Sequence, residues 1–260
     1  MRDALKRHWP EYLMEAAGLG IFMVSASVFT ILLYHPASPV VKNWPEEFPR
    51  RILAGLAMGL TAIGIIYSPW GKQSGAHLNP AVTLTFFRLG KIAPWDAVFY
   101  VVAQFIGGMS GVALVAAVAE KFLAHPAVNY VATLPGSSGA AVAFVSEAAI
   151  SFSLMIVVLF VSNTARLARF TGLFAGLCVA AFIAFEAPFS GMSMNPARTF
   201  GSVVLPQLWG SLWIYFVAPP LGMLFAAALH LRFKRTVACA KLHHHNKKRC
   251  IFCEFQAAGK

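Results

Sequence analysis

Six stretches of this chain are apolar and long enough to cross a lipid bilayer, and they restrict the fold more than any other feature of the sequence. They lie at about 11–34, 51–68, 94–118, 140–162, 170–187 and 209–233. Hydrocarbon offers backbone N–H and C=O groups no partners, so a spanning segment must be a helix or a strand of a closed barrel. A helix needs about 20 residues to cross, whereas a barrel strand needs only about 10. The run lengths therefore predict an all-α membrane protein. Composition agrees: 58% of residues are hydrophobic and 12% are charged, where a soluble domain carries about 25% charged residues. The first run follows a short basic start and has no clear cleavage site, so it reads as a span and not as a leader.

The formal net charge of +11 would suit a nucleic-acid partner if it were clustered on a folded surface. Here the basic residues lie between and beyond the spans, so no nucleic-acid role is expected and the charge reads as membrane topology. An even number of spans puts both termini on one side. That side receives Arg2, Lys6, Arg7, Lys72, Arg88, Lys91, Arg166, Arg169 and the tail cations Arg232, Lys234, Arg235, Lys241, Lys247, Lys248, Arg249 and Lys260. The other side has Lys42, Arg50, Arg51 and Lys121, apart from Arg198. The positive-inside rule makes the first side cytoplasmic. A multi-pass protein of the cell membrane with both termini in the cytoplasm is expected.

The two halves of the chain resemble each other. "MEAAGLGIF" opens one and "SEAAISFSL" the other, and in each half Asn-Pro-Ala follows the second span: "SGAHLNPAVT" at 74–83 and "SGMSMNPART" at 190–199. Three spans per half make the second copy enter from the opposite face, an inverted repeat. The expected organisation is an N-terminal segment 1–10, a first repeat 11–118, a connection 119–139, a second repeat 140–233 and a basic tail 234–260. The tail is expected to be mobile and close to anionic lipid.

Asn is a favoured helix N-cap and Pro a favoured first helical residue. Asn79, Pro80 and Ala81 should therefore start a short helix over 79–90, and Asn195, Pro196 and Ala197 another over 195–204. Both are too short to span, so each must re-enter from its own side, with its lead-in backbone buried or lining an aqueous path. The inverted repeat brings their positive N-termini together near the midplane, a barrier to cations including hydronium. The two Asn amides would donate into the path and lead-in carbonyls would accept from it, which are the selectivity terms of a narrow pore.

On these residues the sequence resembles the aquaporin (major intrinsic protein) family. The resemblance rests on the doubled Asn-Pro-Ala, Glu15 and Glu147 in spans one and four, and "YVVAQFIGG" with Gln104 in span three, and it covers about residues 10–233. It implies six helices plus two half-helices, a pore in each subunit and a homotetramer. It also implies an outer constriction at Arg198, Met192, Ile183 and a span-two position that is Met58 or Gly59. Water-selective members usually have His where this chain has Ile183, so the constriction reads as apolar except for Arg198. Against that, Thr199 stands where glycerol-conducting members tend to have Asp, and Tyr215 and Phe216 resemble water channels. Passive water permeation is the expected function, with glycerol or other small uncharged solutes as the alternative and a non-conducting junction protein as a distant one.

Intramembrane carboxylates suggest proton coupling by default, but the matching places of Glu15 and Glu147 favour braces for the re-entrant loops, with His77 and Gln104 beside them. His77 as a pH gate is the less favoured reading. The tail "HHHNKKRCIFCEF" carries His and a Cys-x-x-Cys pair; with no second pair, no metal site and no cofactor are assigned. No nucleophile, base and orienter fall into a catalytic pattern, so no enzyme activity is expected.

Overall fold

The computed structural model describes residues 1–233 and 236–258. Lys234, Arg235 and Lys260 of the basic tail lie outside the described residues. Six long helices carry the apolar runs: α1 (Arg2–Tyr34), α3 (Glu47–Tyr67), α6 (Pro94–Leu123), α7 (Gly139–Ser162), α8 (Thr171–Phe185) and α11 (Leu212–Arg232). Shorter helices join or follow them: α2 (Pro39–Asn43), α4 (Pro69–Ser74), α5 (Pro80–Arg88), α9 (Ala187–Ser190), α10 (Pro196–Val203) and α12 (Ile251–Ala258). The fold is the all-helical, six-span class that the apolar runs predict.

Two boundaries differ from the sequence reading for physical reasons. α1 begins at Arg2 because its first turns, with Arg2, Lys6 and Arg7, are polar and carry no apolar signal, yet contain nothing that stops a helix before Pro10. Pro94 at the first position starts α6, which runs past the expected end and turns at Ala119, where φ is −143°.

Helices pack as a repeat: α1 lies against α6, α7 against α11, and α3 against α8. The equivalence extends to single atoms. A Cβ on Gly107 of α6 would sit 2.1 Å from the carbonyl oxygen of Ala16, the residue after Glu15. A Cβ on Gly222 of α11 would sit 2.2 Å from that of Ala148, the residue after Glu147. Each half thus closes its first and third spans on the same Glu-Ala step, at a spacing only glycine permits.

The tail is not the loose polar end that its composition suggests. Cys239, Ala240, Lys241, Leu242, Ile251 and Phe252 are all buried. They fold back onto the face that carries the chain termini.

Candidate functional site

Both re-entrant loops are built to one plan. Asn79 is extended and its Oδ1 accepts from Ala81 N at 2.8 Å; Pro80 then begins α5. Asn195 does the same for α10, accepting from Ala197 N at 3.0 Å and Arg198 N at 3.2 Å. The lead-in backbones alternate into the left-handed region at Ala76, Leu78, Met192 and Met194, with φ between 51° and 54°. This geometry is unfavourable for side-chain-bearing residues and persists only where the surroundings hold it.

Buried carboxylates hold it. Glu15 Oε1 accepts from Ser74 Oγ (2.8 Å) and His77 N (3.1 Å), and Oε2 from Leu78 N (2.6 Å) and Gln104 Nε2 (2.9 Å). Glu147 Oε1 accepts from Ser190 Oγ (2.8 Å) and Ser193 N (2.7 Å), and Oε2 from Met194 N (2.7 Å). A tyrosine closes each loop: Tyr100 O–H donates to Ser74 O and Tyr215 O–H to Ser190 O, both at 2.6 Å.

The two loops meet and bond to each other. Asn79 Nδ2 donates to Met194 O and Asn195 Nδ2 to Leu78 O, each at 2.7 Å. Each amide therefore spends one of its two N–H groups on the other loop and keeps one free for the path. Two of the lead-in carbonyls also accept across the centre, a use the sequence reading did not foresee.

A cavity of about 320 Å³ runs past this centre. Arg198, Met192, Ile183, Met58, Asn79, Asn195 and His77 all line it, and Gly59 does not. Met58 faces the cavity. Gly59 faces α8, where a Cβ would lie 2.6 Å from Gly176 O. Among the described residues, the buried Arg198 Nη1 has no hydrogen-bond partner, so a donor is left for whatever occupies the cavity. Tyr34, Glu47 and Arg51 also line the cavity, as does Leu242 of the tail. None of these four was given a place in the site from the sequence, where Arg51 figured only as a far-side charge. Leu242 could not have been, because only the fold brings the tail there.

Three residues used above to weigh solute preference do not line the cavity. Thr199 is buried, bonded to Ser193 Oγ and to Thr133 Oγ1 (3.3 Å). Tyr215 holds a loop, and Phe216 packs on Phe105 and Phe200. The fifth spanning helix ends at Phe185, two residues before the end expected from the sequence, and just beyond it burial raises the Glu186 carboxyl to about 7.

His77 is fixed on both sides of its ring. The carbonyl of Ala240 can only accept, so Nε2 carries the proton it donates at 2.9 Å, and Nδ1 accepts from Thr83 Oγ1 at 3.1 Å. Phe86 and Phe252 stack on its two faces, with centroids at 5.2 and 5.3 Å.

Residues 6–230 match the family model described as major intrinsic protein. The chain belongs to the major intrinsic protein family. Among relatives of this family, it is 35% identical to "Aquaporin NIP2-3" of Zea mays, covering 86% of this chain and 73% of that one. It is 35% identical to "Aquaporin-5" of Ovis aries (72% and 71%) and 38% identical to "Probable aquaporin AqpM" of Archaeoglobus fulgidus (82% and 90%). The fold is similar to the X-ray structure of the aquaglyceroporin from Plasmodium falciparum, with a TM-score of 0.67 at 20% identity, covering 86% of this chain and 95% of that one. Members of the major intrinsic protein family are membrane channels for water or small solutes, and this chain is such a multi-pass protein. Its tail beyond residue 230 lies outside the family match.

Proposed function

We propose that this channel conducts water passively and excludes protons and ions. The observation that carries the reading is the crossed pair of Asn-capped half-helices beside one cavity, with the unpartnered Arg198 N–H groups on the same path. Two positive helix ends and an arginine oppose cations. A water molecule beside Asn79 and Asn195 must accept from their free N–H groups, which breaks a donor–acceptor relay for protons.

A second reading has its own support. Besides Arg198 the cavity is lined by Met58, Ile183 and Met192, whose side chains carry no hydrogen-bond donor and include two flexible thioethers. Such a mixed lining suits small uncharged solutes that carry both polar and apolar edges, so glycerol or urea would follow water. Stopped-flow light scattering on proteoliposomes, comparing water, glycerol and urea, tests both. Permeabilities equal to those of empty vesicles for all three would reject the channel reading.

The proposed placement is the cell membrane with both termini cytoplasmic. Supporting it, the far-side Arg50 and Arg51 are occupied by backbone carbonyls: Arg50 donates to Leu33 O (2.7 Å) and Arg51 to Ala184 O (3.2 Å). They therefore act as structural clamps more than as topogenic charge. A homotetramer is proposed from family membership alone, and crosslinking of the purified protein would test it. Water and small uncharged solutes are the proposed partners.

A further inference from the structure

The three tail cysteines and His244, to which the sequence reading assigned no metal, come together in three dimensions. The ligand atoms of Cys239, His244, Cys250 and Cys253 all lie within 4.8 Å of one another. Cys239 Sγ is 3.5 Å from Cys250 Sγ and 3.7 Å from Cys253 Sγ, and His244 Nε2 is 3.1 Å from Cys253 Sγ. A tetrahedral zinc with three thiolates and one imidazole has S···S edges of about 3.8 Å and S···N edges of about 3.5 Å, from metal–ligand bonds of about 2.3 and 2.0 Å. Closing the present group onto an ion requires only small shifts. A disulfide would use two of the three thiols and leave the third, and its bond of about 2.05 Å is far shorter than any of these separations.

The surroundings suit a thiolate-rich site. Lys241 N–H points at Cys239 Sγ at 3.5 Å, an outer contact that stabilises a thiolate ligand. Lys241, Lys247, Lys248 and Arg249 lie along the same segment, offsetting the net negative charge of three thiolates on a divalent ion. Cys239 is buried while His244 is exposed, so an ion can enter from solvent. Between Cys239 and Cys250 the tail has no helix or strand of its own, leaving its turns in need of a tie.

The residues between the ligands are those that touch the channel. Ala240 and Leu242 lie between Cys239 and His244, and Phe252 lies between Cys250 and Cys253. Ala240 O holds the His77 ring, Leu242 N donates to Gly75 O at 3.1 Å, the Leu242 side chain lines the cavity, and Phe252 stacks on His77.

We propose that Cys239, His244, Cys250 and Cys253 bind one zinc-class divalent ion, and that this ion pins the tail as a plug in the inner mouth of the channel. Binding releases the thiol protons to solvent and forms three metal–sulfur bonds and one metal–nitrogen bond. The plug rests on the channel reading; the metal site does not.

The test uses the full chain, purified reduced and stripped of metal, then titrated with Zn²⁺ or Co²⁺. The expected result is one ion per chain, tetrahedral thiolate–Co²⁺ absorption and nanomolar or tighter zinc affinity. Cys250→Ser with Cys253→Ser should weaken binding at least about 100-fold, beyond what loss of an outer contact causes, while Cys178→Ser should not change it. Sub-stoichiometric zinc, an octahedral cobalt spectrum, or disulfide formation in place of binding would overturn the site. In proteoliposomes, chelation should raise water permeability of the parent protein several-fold and leave the double variant, already open, unchanged. Equal permeability with and without zinc, in a protein shown to bind it, would overturn the plug. If the double variant binds no metal and conducts nothing, the channel reading fails while the metal result stands.

Discussion

Asn79 reaches across the centre of the molecule to Met194, its Nδ2 2.7 Å from the carbonyl oxygen, and Asn195 returns the bond to Leu78 at the same length. The two half-helices are thus held to each other by the residues that cap them. Removing either side chain removes a cap and a buried crossed bond at once. Asn79→Ala should destabilise the protein by roughly 1–3 kcal/mol, seen as a lower thermal midpoint in detergent, and should lower water permeability. An unchanged midpoint would contradict the crossed arrangement.

Glu15 accepts four hydrogen bonds and Glu147 three, all with re-entrant loop groups except that from Gln104. A glutamine keeps the shape but turns one acceptor oxygen into a donor. Glu15→Gln or Glu147→Gln should cost about 1–3 kcal/mol and reduce permeability together with stability. A proton-coupled transporter would instead keep its stability and lose uphill uptake. Uphill uptake by the parent protein, measured against an imposed pH gradient, would contradict the bracing role.

Glu186 gives a pH dependence. Its carboxyl is raised by burial to about 7 in the folded protein, above an ordinary value near 4.5. The folded state therefore holds a proton that the unfolded state releases. Its contribution to stability is full below about 4.5 and is lost as pH rises through about 7. With zinc chelated, the thermal midpoint should fall across this window in the parent protein and fall less in Glu186→Gln. Equal slopes would contradict the assignment.

Ile183 stands in the wall of the cavity that Met58, Met192 and Arg198 also line. Ile183→His adds a hydrogen-bonding group and polar edge to the apolar side. The water-to-glycerol permeability ratio should rise by about tenfold if the histidine rejects glycerol by 1.4 kcal/mol more than the isoleucine does. An unchanged ratio would move the selective point elsewhere in the cavity.

Much of this was legible in the sequence because it is written in local chemistry. Apolar runs of bilayer length have to satisfy their own backbone and so become helices, and Asn followed by Pro supplies a favoured cap and a favoured first helical residue. The match between Glu15 and Glu147 could be seen because both follow the same Glu-Ala-Ala pattern. What was not legible depends on pieces distant in the chain meeting. Whether Met58 or Gly59 meets the cavity depends on which side of α3 is taken by α8, a helix distant in the chain. The crossed Asn bonds need both loops in place. The start of α1 at Arg2 was hidden because a polar turn carries no hydrophobic period. Thr199, Tyr215 and Phe216 look informative about the solute by likeness, yet none of them lines the cavity. The tail misled most: its composition is that of a solvated basic end, while its packing comes from His77, Gly75 and three cysteines spread over fifteen residues, from Cys239 to Cys253.

The most direct test of the central claim is to measure water flux and proton flux in the same proteoliposomes. Vesicles carrying the metal-stripped protein and an entrapped pH dye are subjected first to an osmotic step and then to a pH step. The account predicts water permeability well above that of empty vesicles with a proton leak equal to theirs. Water permeability no greater than that of empty vesicles, or a proton leak that rises in step with it, would contradict a passive water pore closed to protons at the paired asparagines.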